Sequence, residues 1–179
     1  MTLDELKARI PDHAKDVRLN LSSLERQTAL SDRQLAGTLL AVAASTRHPD
    51  LLRAIEAHVR PHLDEPARKA ALIAASLMAM NNVYYRFVHL VSDPEYGKLP
   101  AGLRMQAIAN PGVDKIDFEL FSLAVSALNG CGMCMDSHEK ALRRAGVSRE
   151  AIQAAVKIAA ILSSVAATLA IENAITAAA

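Results

Sequence analysis

Residues 129–138 of this 179-residue chain read Asn129-Gly130-Cys131-Gly132-Met133-Cys134-Met135-Asp136-Ser137-His138. They hold both of its 2 cysteines. Asn-Gly is a strong turn signal, so it predicts that one helix ends here and another begins. At about 100° per residue, Cys134 lies about 60° and His138 about 20° from Cys131 around a helix axis. The spacing therefore predicts two thiols and an imidazole on one helix face.

The two cysteines of this stretch predict a redox site. A thiol attacks a peroxide or a disulfide only as the thiolate, and at a reference pKa of roughly 8.5 only about 3% of it is ionised at neutral pH. The first turn of a helix favours negative charge, and His138 can accept a proton from Cys134 one turn away. A sulfenic acid formed on one sulfur would be trapped by the other as a disulfide.

Two other interpretations of the cysteines stay open at this level. Cysteines three residues apart on a helix can be small buried apolar side chains in an assembly module without enzymatic activity. A zinc site needs about four ligands, and Cys131, Cys134 and His138 would leave one to be found elsewhere. The chain has no second Cys-x-x-Cys motif to supply that ligand.

A polar stripe precedes the cysteines, on a helix that is otherwise apolar almost all round. Its members, at spacings of three and four residues, are Glu119, Ser122, Ser126 and Asn129. The stripe would face water on an ordinary amphipathic helix. It would instead face a polar pocket if Glu119 orients the imidazole of His138 or relays its proton. Periodicity leaves both interpretations open.

Composition and charge limit the class of protein. A chain of 179 residues predicts one domain, residues 1–179, and its net charge of +1 gives no electrostatic reason to bind nucleic acid or an anionic membrane. The amino terminus carries Asp4 and Glu5 and no apolar segment, so we expect no secretory signal. The apolar run over residues 158–171 is shorter than the ~20 residues that span a bilayer. We therefore expect a cytoplasmic protein with a cycling cysteine pair.

The chain predicts an all-α fold, because no stretch alternates like a strand and the chain is 51% hydrophobic but only 3% aromatic. Helix starts are predicted after Thr2, Ser31, Asp64, Asp114 and Ser148, and at Pro49. A further helix is predicted over 99–109, and Gly146 is predicted to end the helix that follows the cysteines. Asn81-Asn82 is predicted to be a joint between two helices.

An internal match suggests a repeat. Residues 79–83, Ala-Met-Asn-Asn-Val, resemble residues 127–131, Ala-Leu-Asn-Gly-Cys. The match predicts two similar helical units of which only the second is reactive, although chance similarity in an Ala-rich chain is an alternative. The histidines His13, His48, His58, His62 and His89 are predicted to lie at the surface or at helix caps, and Met133 and Met135 in the core. Tyr84, Tyr85 and Arg86 are predicted to pack at an interface or in the core, with a place in a pocket wall as the alternative.

Several segments together resemble one known family. They are Asp117-Phe118-Glu119-Leu120, residues 126–134, His138-Glu139, Ala14-Lys15-Asp16, residues 19–23, Gly37-Thr38-Leu39-Leu40, residues 80–83 and residues 102–105. These segments are similar to those of the alkyl hydroperoxide reductase D (AhpD) family, in the carboxymuconolactone decarboxylase-like superfamily. The resemblance covers nearly the whole chain.

The resemblance implies an all-helical homotrimer and an antioxidant peroxidase with no bound cofactor. By the family pattern, Cys134 attacks the peroxide and becomes the sulfenic acid, and Cys131 is the proton donor and resolving thiol that forms a disulfide with it. Glu119 and His138 match the proton-relay positions. Some members carry a histidine where this chain has Met133, so the part that histidine plays in their relay has no counterpart here.

The resemblance also implies partners: organic hydroperoxides as substrates, dihydrolipoyl groups on an acyltransferase as reductant, and a peroxiredoxin-type reductase. An alternative is a disulfide reductase that passes electrons from lipoyl groups to such a partner without reducing peroxide itself. A decarboxylase is the least favoured reading, since that chemistry does not need a dithiol.

Overall fold

The computed structural model describes residues 1–177. Within this range the chain forms 9 α-helices and no strand, which confirms the all-α prediction. The helices are α1 (Leu3–Ala8), α2 (Lys15–Ser23), α3 (Asp32–Ser45), α4 (Pro49–Val59), α5 (Glu65–Leu90), α6 (Gln106–Ala109), α7 (Lys115–Leu128), α8 (Gly132–Arg144) and α9 (Arg149–Ala177).

The predicted helix starts are confirmed by their caps. The side chains of Thr2 and Ser31 form complete capping boxes at α1 and α3. Asp64 accepts the Ala67 N–H at 2.8 Å at the start of α5. Gly146, with φ of +83°, lies just beyond the end of α8 as predicted. Short polar side chains thus fix the starts of α1, α3 and α5.

Two local predictions are wrong. The helix predicted over 99–109 shrinks to Gln106–Ala109, because Gly102 adopts φ of +65°, which a right-handed helix cannot contain. The joint predicted at Asn81-Asn82 does not exist, since α5 runs unbroken for 26 residues. Both asparagines are buried, and packing of the helix outweighs the small cost of asparagine in a helix interior.

The internal sequence match does not extend to the backbone. Segment 67–90 lies within one uninterrupted helix, whereas segment 115–138 breaks between α7 and α8, where Gly130 has φ of +68°. The two segments follow different paths, so the prediction of two similar helical units is wrong for this part of the chain.

Helix α7 is the centre of the fold. It packs against α3, α5, α8 and α9, and its residues 117–126 are all buried. The start of α7 is fixed through Asp117, which accepts hydrogen bonds from Arg33 Nε at 3.1 Å and Gln34 Nε2 at 3.0 Å. Arg33 also contacts Asp64 at 2.8 Å. The Ala67 N–H, and after it the Arg33 guanidinium, lower the pKa of Asp64. The starts of α3, α5 and α7 are thereby tied together.

Helices α3 and α7 approach most closely at Gly37, whose α-carbon faces the ring of Phe121. A β-carbon at Gly37 would lie 2.1 Å from Phe121 Cζ, and that ring is fully buried. We expect Gly37→Ala to lower the free energy of unfolding by about 1–3 kcal/mol, because the ring must leave its packed position. Denaturant unfolding measures the loss.

Gly97→Ala is the matched control for this substitution, since the nearest atom to its β-carbon would be Val88 Cγ1 at 3.9 Å. We expect Gly97→Ala to change the free energy of unfolding little. Equal stabilities of Gly37→Ala and the wild type would contradict the close approach of α3 and α7.

Helix α9, with 29 residues, is the one helix of the described range that is long and apolar enough to cross a membrane. Core helices of soluble proteins pass the same test. One face of α9 packs against α7, α3 and α2, where Ala155, Ile158, Leu162 and Val165 are fully buried. We therefore interpret α9 as a core helix.

Candidate active site

The junction of α7 and α8 carries the two cysteines. Asn129 caps the end of α7, Gly130 turns the chain, and Cys131 is the N-cap residue of α8, just before its first helical residue. Cys131 N–H donates to the Ser126 carbonyl at 3.1 Å, while its Sγ accepts the N–H of Cys134 at 3.3 Å. The predicted helix break is confirmed, and both sulfurs lie at a helix N-terminus, where negative charge is favoured.

Cys131 and Cys134 form a disulfide with a Cα–Cα distance of 5.3 Å. The two sulfurs differ in access. Cys131 is fully buried, whereas Cys134 is 7% exposed and lines a cleft. A molecule that enters the cleft therefore meets Cys134, with Cys131 behind it.

A histidine and a carboxylate stand beside Cys134. His138 Nδ1 lies 2.6 Å from Glu119 Oε2, and both side chains are largely buried. With Glu119 ionised, the proton on Nδ1 is donated to the carboxylate, and Nε2 is left as the acceptor nitrogen. The polar stripe of α7 thus faces the protein interior, and Glu119 orients the imidazole.

The cleft has a volume of about 400 Å³ and lies between α5, α6, α7 and α8. Its polar lining residues are Asn81, Glu119, Cys134, Ser137 and His138. Its apolar and aromatic lining residues are Met78, Tyr85, Met105, Ile108, Met133 and Ala141. The cleft can therefore hold a molecule with a polar reactive end and an apolar body.

The chain was compared with known proteins. The model of the carboxymuconolactone decarboxylase family matches residues 94–177. Alkyl hydroperoxide reductase AhpD of Streptomyces avermitilis is 59% identical over 169 residues, which cover 94% of this chain and 96% of that protein. The AhpD proteins of Rhodopseudomonas palustris strain BisA53 and Methylobacterium sp. strain 4-46 are 59% and 57% identical over 94% of this chain, and over 93% and 96% of their own lengths. This chain belongs to the AhpD family.

The cysteine turn of this AhpD-family chain is held by α5. Asn82 Nδ2 donates to Ser126 Oγ at 3.0 Å, and Asn82 Oδ1 accepts from Asn129 Nδ2 at 2.9 Å. Arg86 Nη1 donates to the Asn129 carbonyl at 2.8 Å. The polar stripe therefore divides, since Glu119 faces the cleft whereas Ser126 and Asn129 bind α5. Two adjacent carboxamides in a long apolar helix were the sequence signal that could have revealed this contact.

The sequence predicted some lining residues correctly and missed others. Glu119, Cys131, Cys134 and His138 come together as predicted. Met133 is exposed on the cleft wall, so its prediction as a core side chain is wrong, whereas Met135 does pack against the core. The alternative placement of Tyr85 in a pocket wall is confirmed, whereas the contributions of Met105 and Ile108 to the cleft were missed. They belong to segments distant in sequence that only tertiary packing brings to the cysteines.

The residues considered above as zinc ligands have other partners in the structure. Across residues 1–177, no group of three or more His, Cys, Asp or Glu side chains is arranged to hold a metal ion. His138 pairs with Glu119 and the two sulfurs pair with each other. Each of the three candidate zinc ligands therefore has a partner within the protein.

Proposed function

We propose that this protein is an antioxidant peroxidase that reduces organic hydroperoxides to alcohols through a Cys131–Cys134 dithiol/disulfide cycle. The observation that carries the proposal is the unequal placement of the two sulfurs: Cys134 faces the cleft beside His138, and Cys131 lies buried behind it at bonding distance. Its AhpD-family relatives are named alkyl hydroperoxide reductases, which supports a peroxide-reducing role.

The first half of the cycle oxidises Cys134. His138 Nε2 takes the proton of the Cys134 thiol, and the thiolate attacks the terminal oxygen of the hydroperoxide. The S–O bond forms as the O–O bond breaks, and the departing alkoxide takes the proton from His138 to leave as the alcohol. Glu119 stabilises the charged imidazole in between. Cys134 is left as the sulfenic acid.

The second half restores the dithiol. The Cys131 sulfur attacks the sulfenic sulfur, the S–S bond forms, and the hydroxyl leaves with the Cys131 proton as water. A dihydrolipoyl group then reduces the disulfide by two thiol–disulfide exchanges, so that both cysteines regain protons and the lipoyl ring is oxidised to its disulfide. The narrow access to Cys134 supports a slender dithiol as reductant rather than a bulky protein thiol.

The proposed partners are supported by the resemblance to the AhpD family. We place the protein in the cytoplasm, where a lipoyl-bearing acyltransferase would reduce it and a peroxiredoxin-type reductase would be its partner. Cytoplasmic placement is supported by the cycling cysteine pair, because structural disulfides are rare in that compartment.

We also propose that the protein is a homotrimer. Three exposed apolar residues on one face of α5, Val83, Phe87 and Leu90, support this assembly. Tyr96, which is itself exposed, packs edge-on against Phe87 with ring centroids 5.2 Å apart. Burial of such a patch between copies removes apolar surface from water. A sedimentation mass of three chains checks the assembly.

The test of the proposed function is peroxide consumption with dihydrolipoamide as the only reductant. We expect continuous turnover of cumene hydroperoxide, with one alcohol formed for each dihydrolipoamide oxidised. A quenched-flow experiment then mixes reduced protein with the hydroperoxide alone and counts thiols. Rapid loss of 2 thiols for each peroxide supports the peroxidase, and the chain has exactly those 2 to lose.

The same measurements separate the alternative function. A disulfide reductase that only links lipoyl groups to another protein would oxidise dihydrolipoamide readily but keep its thiols when mixed with the hydroperoxide. That outcome would refute the peroxidase proposal.

A further inference from the structure

Asn81 lies in the wall of the cleft, and the oxygen of its side-chain amide is buried without a partner. Its side chain is largely buried, with 4% exposure, and its Oδ1 forms no hydrogen bond within the described residues. Buried polar side chains almost always have partners, because loss of their hydration is otherwise uncompensated. An exception that lines a reactive cleft points to a ligand.

The adjacent residue provides the contrast. Asn82 is also buried, with 1% exposure, and both ends of its amide are engaged, with Ser126 and with Asn129. Adjacent positions on a helix differ by about 100° in direction, so Asn82 faces α7 while Asn81 faces the cleft. The same residue type therefore has a structural role at one position and no internal partner at the next.

Other unpaired groups are less informative. Ser122 Oγ is also buried without a partner, but Ser122 does not line the cleft. A hydroxyl can rotate toward a neighbouring carbonyl, as several serine and threonine side chains of this fold do. The Oδ1 of Asn81 can only accept a hydrogen bond, so it lacks that option and needs a donor.

We propose that Asn81 binds the –O–O–H head of the hydroperoxide, an inference that rests on the proposed function and adds a positioning residue to it. The amide carbonyl accepts the hydroperoxide O–H, and the amide N–H donates to the inner oxygen. These two contacts direct the terminal oxygen toward Cys134. The inner oxygen becomes the alkoxide when the O–O bond breaks, so the N–H contact strengthens as the reaction proceeds.

The head and the tail of the substrate are then recognised by different parts of the cleft. Asn81 contacts the group shared by every hydroperoxide, while Met78, Met105 and Met133 surround the part that varies. Methionine side chains are flexible and polarisable, so this wall accepts tails of different shape. The cleft is thus specific for the –O–O–H group and tolerant of the alkyl group.

The test compares Asn81→Ala and Asn81→Leu with the wild type, each fully reduced and mixed with one peroxide. Because the chain has 0 tryptophans, oxidation is followed by quenched flow and thiol counting rather than by indole fluorescence. We expect both variants to react with cumene hydroperoxide at least tenfold more slowly. Hydrogen peroxide, which shares the head but lacks the tail, should slow by a similar factor.

Two further measurements distinguish substrate binding from a structural role. Removal of an amide that binds no protein group leaves no partner unsatisfied, so Asn81→Leu should unfold at or above the wild-type temperature. Asn82→Ala should instead lower the unfolding temperature by about 2–4 °C or more, because it removes a bonded amide. Alkylation of Cys134 by iodoacetamide should proceed at the wild-type rate in Asn81→Leu, since the thiolate itself is not altered.

The following outcomes would overturn the role of Asn81, and one of them would also overturn the proposed function. Wild-type peroxide rates in Asn81→Leu, or slowing with cumene hydroperoxide but not with hydrogen peroxide, would overturn the role of Asn81 and leave the proposed function intact. A slow variant that is also destabilised and poorly alkylated would overturn it in favour of a structural role. Failure of the reduced wild type to react with either peroxide would overturn the proposed function and this inference with it.

Discussion

Cys134→Ser is expected to lose essentially all peroxide turnover while remaining folded. Cys134 is the sulfur that lines the cleft, and a serine hydroxyl is not ionised at neutral pH, so no nucleophile would face the hydroperoxide. The side chain keeps nearly the same shape, so the fold should persist. Turnover with dihydrolipoamide as reductant measures the loss, and thermal unfolding checks the fold.

Cys131→Ser is the matched variant, because it removes the other sulfur of the same turn. It keeps the thiol that faces the cleft and loses the one behind it. We expect it to consume one equivalent of hydroperoxide, to accumulate the sulfenic acid on Cys134, and then to stop. A dimedone adduct identified by mass spectrometry would show that intermediate. Substantial turnover by Cys134→Ser, or a dimedone adduct absent from Cys131→Ser, would refute the assigned roles.

His138→Phe is expected to slow the oxidation of Cys134 by about 10²-fold, the range in which a positioned general base contributes. Phenylalanine occupies a similar volume but can neither accept the thiol proton nor return it to the alkoxide. Alkylation of Cys134 should also require a higher pH than in the wild type, because no imidazole is present to accept the thiol proton and stabilise the thiolate charge. Alkylation rate against pH and quenched-flow oxidation measure the two effects.

The carboxylate and a distant histidine provide the controls for this variant. Glu119→Gln keeps an oxygen that can accept the Nδ1 proton at the 2.6 Å contact, so the imidazole stays oriented but loses its counter-charge, and we expect a smaller decrease than in His138→Phe. His62→Phe alters an exposed imidazole outside the cleft and should react as the wild type. An alkylation profile in His138→Phe identical to that of the wild type would exclude the base role.

Residues 129–138 show which features of the site local sequence pattern can predict. Asn129-Gly130 predicts a helix break, and the break places Cys131 at an N-cap and Cys134 in the first turn. His138 follows one helical turn later by covalent spacing alone. These relations involve residues within ten positions of each other, so the sequence carries them without knowledge of the fold.

Asn81 and Asn82 show which features local sequence pattern cannot predict. Asn81 and Asn82 predict a joint when only local preference is considered, because asparagine is a weak helix former. Packing of the whole helix reverses that preference, and Asn82 binds Ser126 of α7 and Asn129 of the cysteine turn. These partners of Asn82 lie more than 40 positions away, and no periodicity within α5 reports which of its faces meets them.

The sequence by itself determined that the chain is all-α, that its thiols stand at the start of a helix, and that an imidazole follows one turn behind them, because each depends on short-range geometry and capping. Only the tertiary structure decided that Glu119 turns inward, that Cys134 rather than Cys131 faces the cleft, and that Asn81 lies in its wall. Those outcomes depend on which helix faces are buried together, and burial is a property of the packed assembly of α5, α6, α7 and α8.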